Sequence, residues 1–467
     1  MDQNGIKVLF LNPPGKEIYI RDYYCSKVSK AYYLPQPVDL VIQSSFFNGP
    51  NFECLVCDAI AEKLSIPQTI DMAVGFQPEL IITQCGSVSI EEDETFFKML
   101  NHKLPKAKIL STGDLFLENA TEYLKETDWL DGIITDFFDS GPLHFILNNP
   151  EEINGLTYKS NGGIITRPSS KQTKGIELAV PQHHLFKNEL YRMPFANKYP
   201  MATVLTNYAC PYPCTFCIMS FLNFKQRSAE SVKQELLQLK DLGVKYLYFS
   251  DQTFYKNNKV TSEILDFMIS ENFGFNWVCF SRVDVLDVKK LQKMKAAGCN
   301  TIMFGVEWAE DDLCDKYKKQ YTTAQVRATF ELVKKVGIKR MGTFLIGVPG
   351  QTEASIRNTV DFAIEIDADY ASFNVAVPRV QTSFREEALE MGLITDNQKE
   401  MDQSGSFIAM GTGEVSAEGL MRLKKEAYRR FYLRPGYIWK RVYALKNWEE
   451  LKTHTREAYF VVKNIFS

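Results

Sequence analysis

In the stretch CPYPCTFC, Cys210, Cys214 and Cys217 follow a C-x3-C-x2-C spacing. Three thiols this close suit a metal, and their number narrows which one. Tetrahedral zinc and most iron–sulfur clusters take four protein ligands. Here no fourth Cys or His follows at zinc-site spacing, and the nearest distant thiols are Cys279 and Cys299. Three cysteines on one loop can instead hold three irons of a four-iron, four-sulfur cluster. The fourth iron then keeps an open position for a small molecule.

Such a loop needs a scaffold, and the flanking sequence supplies one. From Ala202 onward, strand-like runs at 202–209, 246–251, 276–284, 301–308, 339–350 and 370–378 alternate with amphipathic helical segments such as SAESVKQELLQLKDLG. Six β/α units of this kind make an open or closed parallel barrel, whose chemistry sits at the C-terminal rim of its strands. The cysteines fall on that rim, directly after the first barrel strand.

The preceding region alternates in the same way. Its apolar runs are Lys7–Asn12, Phe52–Asp58, Leu80–Gln84, Ala107–Thr112 and Gly132–Thr135. The expectation is an α/β fold with a parallel, doubly wound N-terminal sheet over 1–148. Such sheets bind ligands at the C-terminal ends of their strands. Those ends carry Asn12, Pro13, Pro14 and Gly15, then Asp58 to Glu62, Gln84 to Gly86, and Thr112, Gly113 and Asp114. Residues of these types are also ordinary turn formers, so the positions alone leave cofactor binding and plain scaffold equally open.

Residues 149–200 read as a polar connector with a hairpin around Asn161, Gly162 and Gly163. His183 and His184 lie in it without partners at ligand spacing, which points to connector polarity rather than metal. The barrel is expected over 201–386 and a helical region over 387–467. That last region turns basic and aromatic between Arg422 and Arg441, suiting an anionic membrane surface, RNA, or a solvated helix laid over the barrel. The helix is the plainer reading.

Composition restricts the partners. A formal charge of −3 and a pI near 6.1 give no global basic field for nucleic acid. The start, MDQNGIKVLFLNPP, reads as a buried strand rather than a signal peptide. No run reaches the ~18 apolar residues of a membrane span. Ten cysteines without a secretion signal are expected in a reducing cytoplasm, unpaired by disulfides.

With the aromatic Phe216 before its last cysteine, this motif at the end of a first barrel strand resembles the radical S-adenosylmethionine superfamily. SDQTF (250–254), FSRVD (280–284), AAGCNTIMFGVEW (296–308) and GTFLIGVPGQT (342–352) follow in that family's order. The resemblance implies that the open iron chelates S-adenosylmethionine and that one electron cleaves it to a 5′-deoxyadenosyl radical. It further implies Phe216 and Asp251 near the cofactor, Glu307 in contact with it, Arg282 on its carboxylate, and Gly347 to Gly350 against the adenosine. The second-strand motif departs from the family in lacking its common Gly-Gly-Glu.

A doubly wound domain ahead of such a barrel resembles the cobalamin-dependent group, which includes the anaerobic magnesium-protoporphyrin cyclase, hopanoid-pathway enzymes and C-methyltransferases. NPP (12–14), CDAIAEKLS (57–65) and FYLRP near Tyr432 are similar to that group. By this likeness Asn12, Pro13, Asp58, Gln84 and Gly113 would line cobalamin. The Asp-x-His-x-x-Gly cobalt-ligand motif is absent, because Ala59 and Ile60 follow Asp58 and no histidine precedes His102. TDFFDSGP (135–142) stands where an acidic Gly-Glu segment is expected.

The resemblance therefore implies a radical enzyme that methylates an unactivated carbon of a small-molecule or lipid-like substrate, drawing electrons from a donor such as flavodoxin or ferredoxin. A rearrangement or oxidative cyclisation without methyl transfer is the alternative. A silent protein using its cluster structurally or for RNA belongs to another class. The complete cysteine set with Glu307 speaks against it, and no appended RNA-binding domain is recognisable.

Overall fold

The computed structural model describes residues 5–29, 33–194, 196–395, 408–443 and 455. Two compact units are present, each with its own parallel sheet. The first comprises Met1–Ser29, Leu34–Tyr191 and Lys225–Val244; the second comprises Lys30–Tyr33, Arg192–Phe224 and Lys245–Ser467.

The first unit's strands are β1 (Ile6–Asn12), β2 (Phe52–Asp58), β3 (Leu80–Gln84), β4 (Lys108–Thr112), β5 (Gly132–Ile134), β6 (Leu156–Ser160) and β7 (Gly163–Arg167). They line up as β2-β1-β3-β4-β5-β6-β7, with the first five parallel and the last two antiparallel. The parallel part has the flavodoxin-like order, in which the connection reverses at β1 and β3. Continuous apolar runs such as VLFL and LIIT suit strands buried on both faces, and Val8, Leu9, Phe10 and Leu11 are fully enclosed. The polar segment expected as a connector supplies β6 and β7, so its hairpin extends this sheet.

The second unit holds β8 (Met201–Val204), β9 (Tyr246–Phe249), β10 (Asn276–Ser281), β11 (Cys299–Glu307), β12 (Lys339–Ile346) and β13 (Tyr370–Val375). All are parallel and follow chain order, the partial barrel read from the sequence. The run expected as one strand over 202–209 ends early, at Val204. Asn207–Tyr208 form a separate short strand outside this sheet, where Asp251 accepts from the Thr206 and Asn207 N–H groups at 2.7 and 3.2 Å.

A parallel sheet in chain order leaves its last strand as an edge, whose unpaired backbone groups need cover. The helix Ala417–Tyr432 provides it. Tyr432 Oη accepts from the Ala371 N–H and donates to the Ala371 carbonyl, while Tyr428 and Phe431 pack on Phe373 of β13. The tail's basic residues are spent on barrel acids. Arg422 meets Glu353, Arg430 meets Asp361, and Lys440 lies 3.1 Å from Asp367. The described part of the tail is therefore a helix laid over the last barrel strand. The stretch beyond Tyr443 lies outside the described residues, apart from Thr455.

Candidate active site

Cys210, Cys214 and Cys217 follow the irregular turn after β8, and Ala209 just before them adopts a left-handed φ of 61°. No cysteine forms a disulfide. Each of the three sulfurs is met by one polar group. Thr253 Oγ1 lies 3.6 Å from Cys210 Sγ, the Arg282 guanidinium donates to Cys214 Sγ at 3.9 Å, and the Met219 N–H reaches Cys217. Such donors stabilise sulfur-borne negative charge, which iron ligation requires. Burial, followed by the other two thiols, pushes the Cys217 thiol up to about 12. Among the described residues, no three Cys, His, Asp or Glu side chains converge on one ion. Thiolates of a cluster each bind a different iron and need no such convergence. The donor set therefore fits a cluster.

Two strand ends anchor the loop. Asp251, fully buried after β9, accepts four hydrogen bonds from the backbone and side chains of Thr206 and Asn207. Its carboxylate thus holds the approach to Cys210. Arg282, at the end of β10, grips Asp284 through two bonds of 2.9 Å, donates to the Lys319 carbonyl at 2.7 Å, and stacks 3.8 Å from the centre of the Tyr212 ring. Burial opposes its charge, but Asp284 outweighs burial, so Arg282 stays cationic. Its placement serves the Cys214 sulfur and the loop.

Glu307 closes β11 with a left-handed φ of 65°, an uncommon conformation for a residue with a side chain. One oxygen accepts from Lys319 Nζ at 2.7 Å, and no described residue bonds the other. A buried carboxylate with one free oxygen is suited to a cationic ligand such as an amino group. Phe216 packs edge-on against Trp308, and Lys319 Nζ lies 5.4 Å from its ring centre. The Gly347 N–H donates to Gln351 at 2.8 Å, and the Gly350 N–H to the Thr412 carbonyl at 2.8 Å. Gly347 is therefore held by the residue four positions on, and Gly350 by the distant Thr412. Three contributors were not singled out in the sequence: Thr253, Tyr212 and Lys319. Tyr212 sits inside the motif and could have been found there. Lys319 lies in DKYKKQY, where nothing separates it from solvated lysines.

In the first unit the strand-end residues are engaged with one another. Asn12 donates to Asp58 at 2.8 Å and accepts from Arg21 at 3.1 Å, while the Pro13 carbonyl also accepts from Arg21. Asp58 caps the turn that follows it through the Ala61 N–H. Gln84 donates to the Arg21 carbonyl. Gly113 has φ 145°, and a Cβ there would lie 1.8 Å from the Cys85 carbonyl oxygen, so glycine is required by packing. Gln84 and Thr112 face the buried Asp39 carboxyl, and the Tyr191 hydroxyl reaches Asp58. Burial, then the nearby Asp22 charge, raises the Asp39 carboxyl well above its usual range.

Residues 204–363 match the Radical SAM superfamily, and the chain is a radical S-adenosylmethionine enzyme by this domain. That family implies a four-iron, four-sulfur cluster and S-adenosylmethionine. An uncharacterized methyltransferase of Pyrococcus horikoshii is 27% identical over 83% of this chain and 86% of its own length. The anaerobic magnesium-protoporphyrin IX monomethyl ester cyclase of Rubrivivax gelatinosus is 21% identical over 84% of this chain and 72% of its own. Among solved structures, the cobalamin-dependent radical enzyme OxsB, with aqua-cobalamin and S-adenosylmethionine bound, aligns with 99% of this chain and 72% of its own at a TM-score of 0.70 and 14% identity. The methyltransferase TsrM of Kitasatospora setae, with cobalamin and cluster bound, aligns with 84% and 76% at 0.63 and 16%. The fold is thus that of cobalamin-dependent radical enzymes over nearly the whole chain. Among the described residues no helix is long and apolar enough to cross a membrane.

Proposed function

We propose that this enzyme methylates an unactivated carbon of a small molecule, using cobalamin together with its cluster and S-adenosylmethionine. The observation that carries the reading is the pairing, in one chain, of a complete three-cysteine loop beside Glu307 with a flavodoxin-order domain of the OxsB and TsrM type. Bound, the cofactors would supply a radical that removes hydrogen from carbon and a methyl group to replace it.

The protein's part is positional. Cys210, Cys214 and Cys217 would hold the cluster, Glu307 would orient the amino group of S-adenosylmethionine, and Phe216 with Trp308 would keep water from the loop. In the first unit, the buried polar side chains of Asp39, Gln84 and Asp58 would be those offered to the primary amides that rim a corrin. Asn12 and Gly113 would contribute backbone, since the Asn12 amide is held by Asp58 and Arg21 and Gly113 has no side chain, while Pro13, its carbonyl taken by Arg21, would contribute its ring. No histidine of this edge is available to cobalt: His183 is buried against Glu235 at 2.8 Å, and none lies on a strand-end loop.

The similarity to a cyclase favours a second reading, radical rearrangement or oxidative cyclisation without methyl transfer. Anaerobic incubation of reconstituted protein with S-adenosylmethionine and dithionite separates them. 5′-Deoxyadenosine with S-adenosylhomocysteine, from protein holding about one corrin per chain, is the expected result. Deoxyadenosine alone from corrin-free protein under saturating hydroxocobalamin would promote the second reading.

A further inference from the structure

Lys319 is turned into the site by a distorted backbone. The residues on either side, Lys318 and Gln320, both adopt left-handed φ values of 53° and 62°. Neither is glycine, and a residue with a side chain persists in this region only where its surroundings impose it. The demand is visible. Lys319 is only 7% exposed, and its Nζ meets Glu307 Oε1 at 2.7 Å, itself on a left-handed residue. Its backbone is pinned at both ends, the N–H to the Cys314 carbonyl at 2.8 Å and the carbonyl to Arg282 at 2.7 Å. Gly305 makes room for the pair. A Cβ there would stand 2.7 Å from Glu307 Oε1 and 3.1 Å from Lys319 Nζ. Tyr321 donates its hydroxyl to the Gly305 carbonyl and fixes that strand end.

We propose that Lys319 is a positioning residue that presents the free oxygen of Glu307 to S-adenosylmethionine and, together with Arg282, adds positive charge beside the cluster sulfurs. The proposal rests on the assignment of Glu307 to S-adenosylmethionine. A lysine that merely balanced a buried carboxylate would need neither flanking strain nor a place 5.4 Å from the ring centre of Phe216, the residue before Cys217. Reduction places one more electron on the cluster, and a nearby cation favours it. Partners that orient a ligating group typically carry 10- to 100-fold in affinity.

The test uses reconstituted full-length protein. Lys319→Met should weaken S-adenosylmethionine binding in equilibrium dialysis about tenfold. In EPR-monitored redox titration it should lower the cluster midpoint by about 59 mV, the one-electron equivalent of a tenfold change. Lys319→Arg should recover the midpoint. Gly305→Ala keeps both charges but crowds Glu307, so it should weaken binding while leaving the midpoint near wild type, and it carries the test if Lys319→Met does not load iron. Wild-type affinity and midpoint in Lys319→Met, or wild-type affinity in Gly305→Ala, would overturn the proposal. Absence of deoxyadenosine from the wild-type enzyme would instead sink the functional reading, and binding and potential would still be measurable.

Discussion

Both parallel sheets collect polar residues at the C-terminal ends of their strands, yet the two edges are built on opposite principles. In the first unit, Arg21 lies fully buried and ties the edge together, bonding Asp93 at 2.5 and 3.1 Å as well as Asn12 and the carbonyls of Pro13 and Pro14. The other carboxyls of that edge are met from within it, Asp58 by Tyr191 and Asp39 by Gln84 and Thr112. In the second unit, cations and donors face sulfur: Thr253 and Arg282 meet two thiols, and Lys319 leaves one oxygen of Glu307 unused. Strand-end position locates both edges equally well. The bonding capacity left after folding is what separates an edge that chiefly holds itself together from one that reaches for an anionic cluster and a cationic ligand.

Four measurements would break or sharpen this contrast. The largest effect belongs to the second edge. Cys214→Ala should lose the brown chromophore and all deoxyadenosine formation, and retained turnover would remove the cluster from that loop. Next comes Arg21→Ala, which strands a buried Asp93 whose carboxyl burial already pushes upward despite the arginine. Breaking a buried ion pair costs about 3–5 kcal/mol, so thermal unfolding should show a clear loss in the transition of the first unit while the three cysteines still load iron. Loss of iron instead would mean that the two edges are not independent.

Asp251→Asn should be milder, about 1–3 kcal/mol, because the amide cannot accept all of the bonds from Thr206 and Asn207. Iron content after gel filtration should fall through loosening of the loop, and an unchanged value would free Asp251 from its anchoring role. The smallest effect concerns acid stability. Arg227 and His183 hold the Glu235 carboxyl below its usual range even though burial acts the other way. Being depressed on folding, it contributes stability that is complete above about pH 4.5 and lost as pH falls through its folded value. Glu235→Gln should therefore flatten the acid limb of the melting-temperature curve, and an unchanged limb would assign acid unfolding to other groups.

Much of this protein was readable from residue order. The five parallel strands of the first sheet and the six of the second follow from apolar runs, because burial on both faces leaves a signature that needs no partner to be recognised. The three cysteines are legible for a similar reason: cluster ligation demands residues of one type within a few positions. Folding decided what depends on contacts across distance. The hairpin at β6 and β7 joins the first sheet only through pairing with β5, which its polarity conceals. Arg282 and Asp284 are two residues apart, but the Cys214 sulfur that Arg282 serves is 68 positions away. Lys319 is the sharpest case. Its sequence neighbours are charged like those of any surface lysine, and only the left-handed turns at Lys318 and Gln320 bring it inward to Glu307. Backbone sign at single residues is set by the surrounding fold, so composition and spacing carry no trace of it.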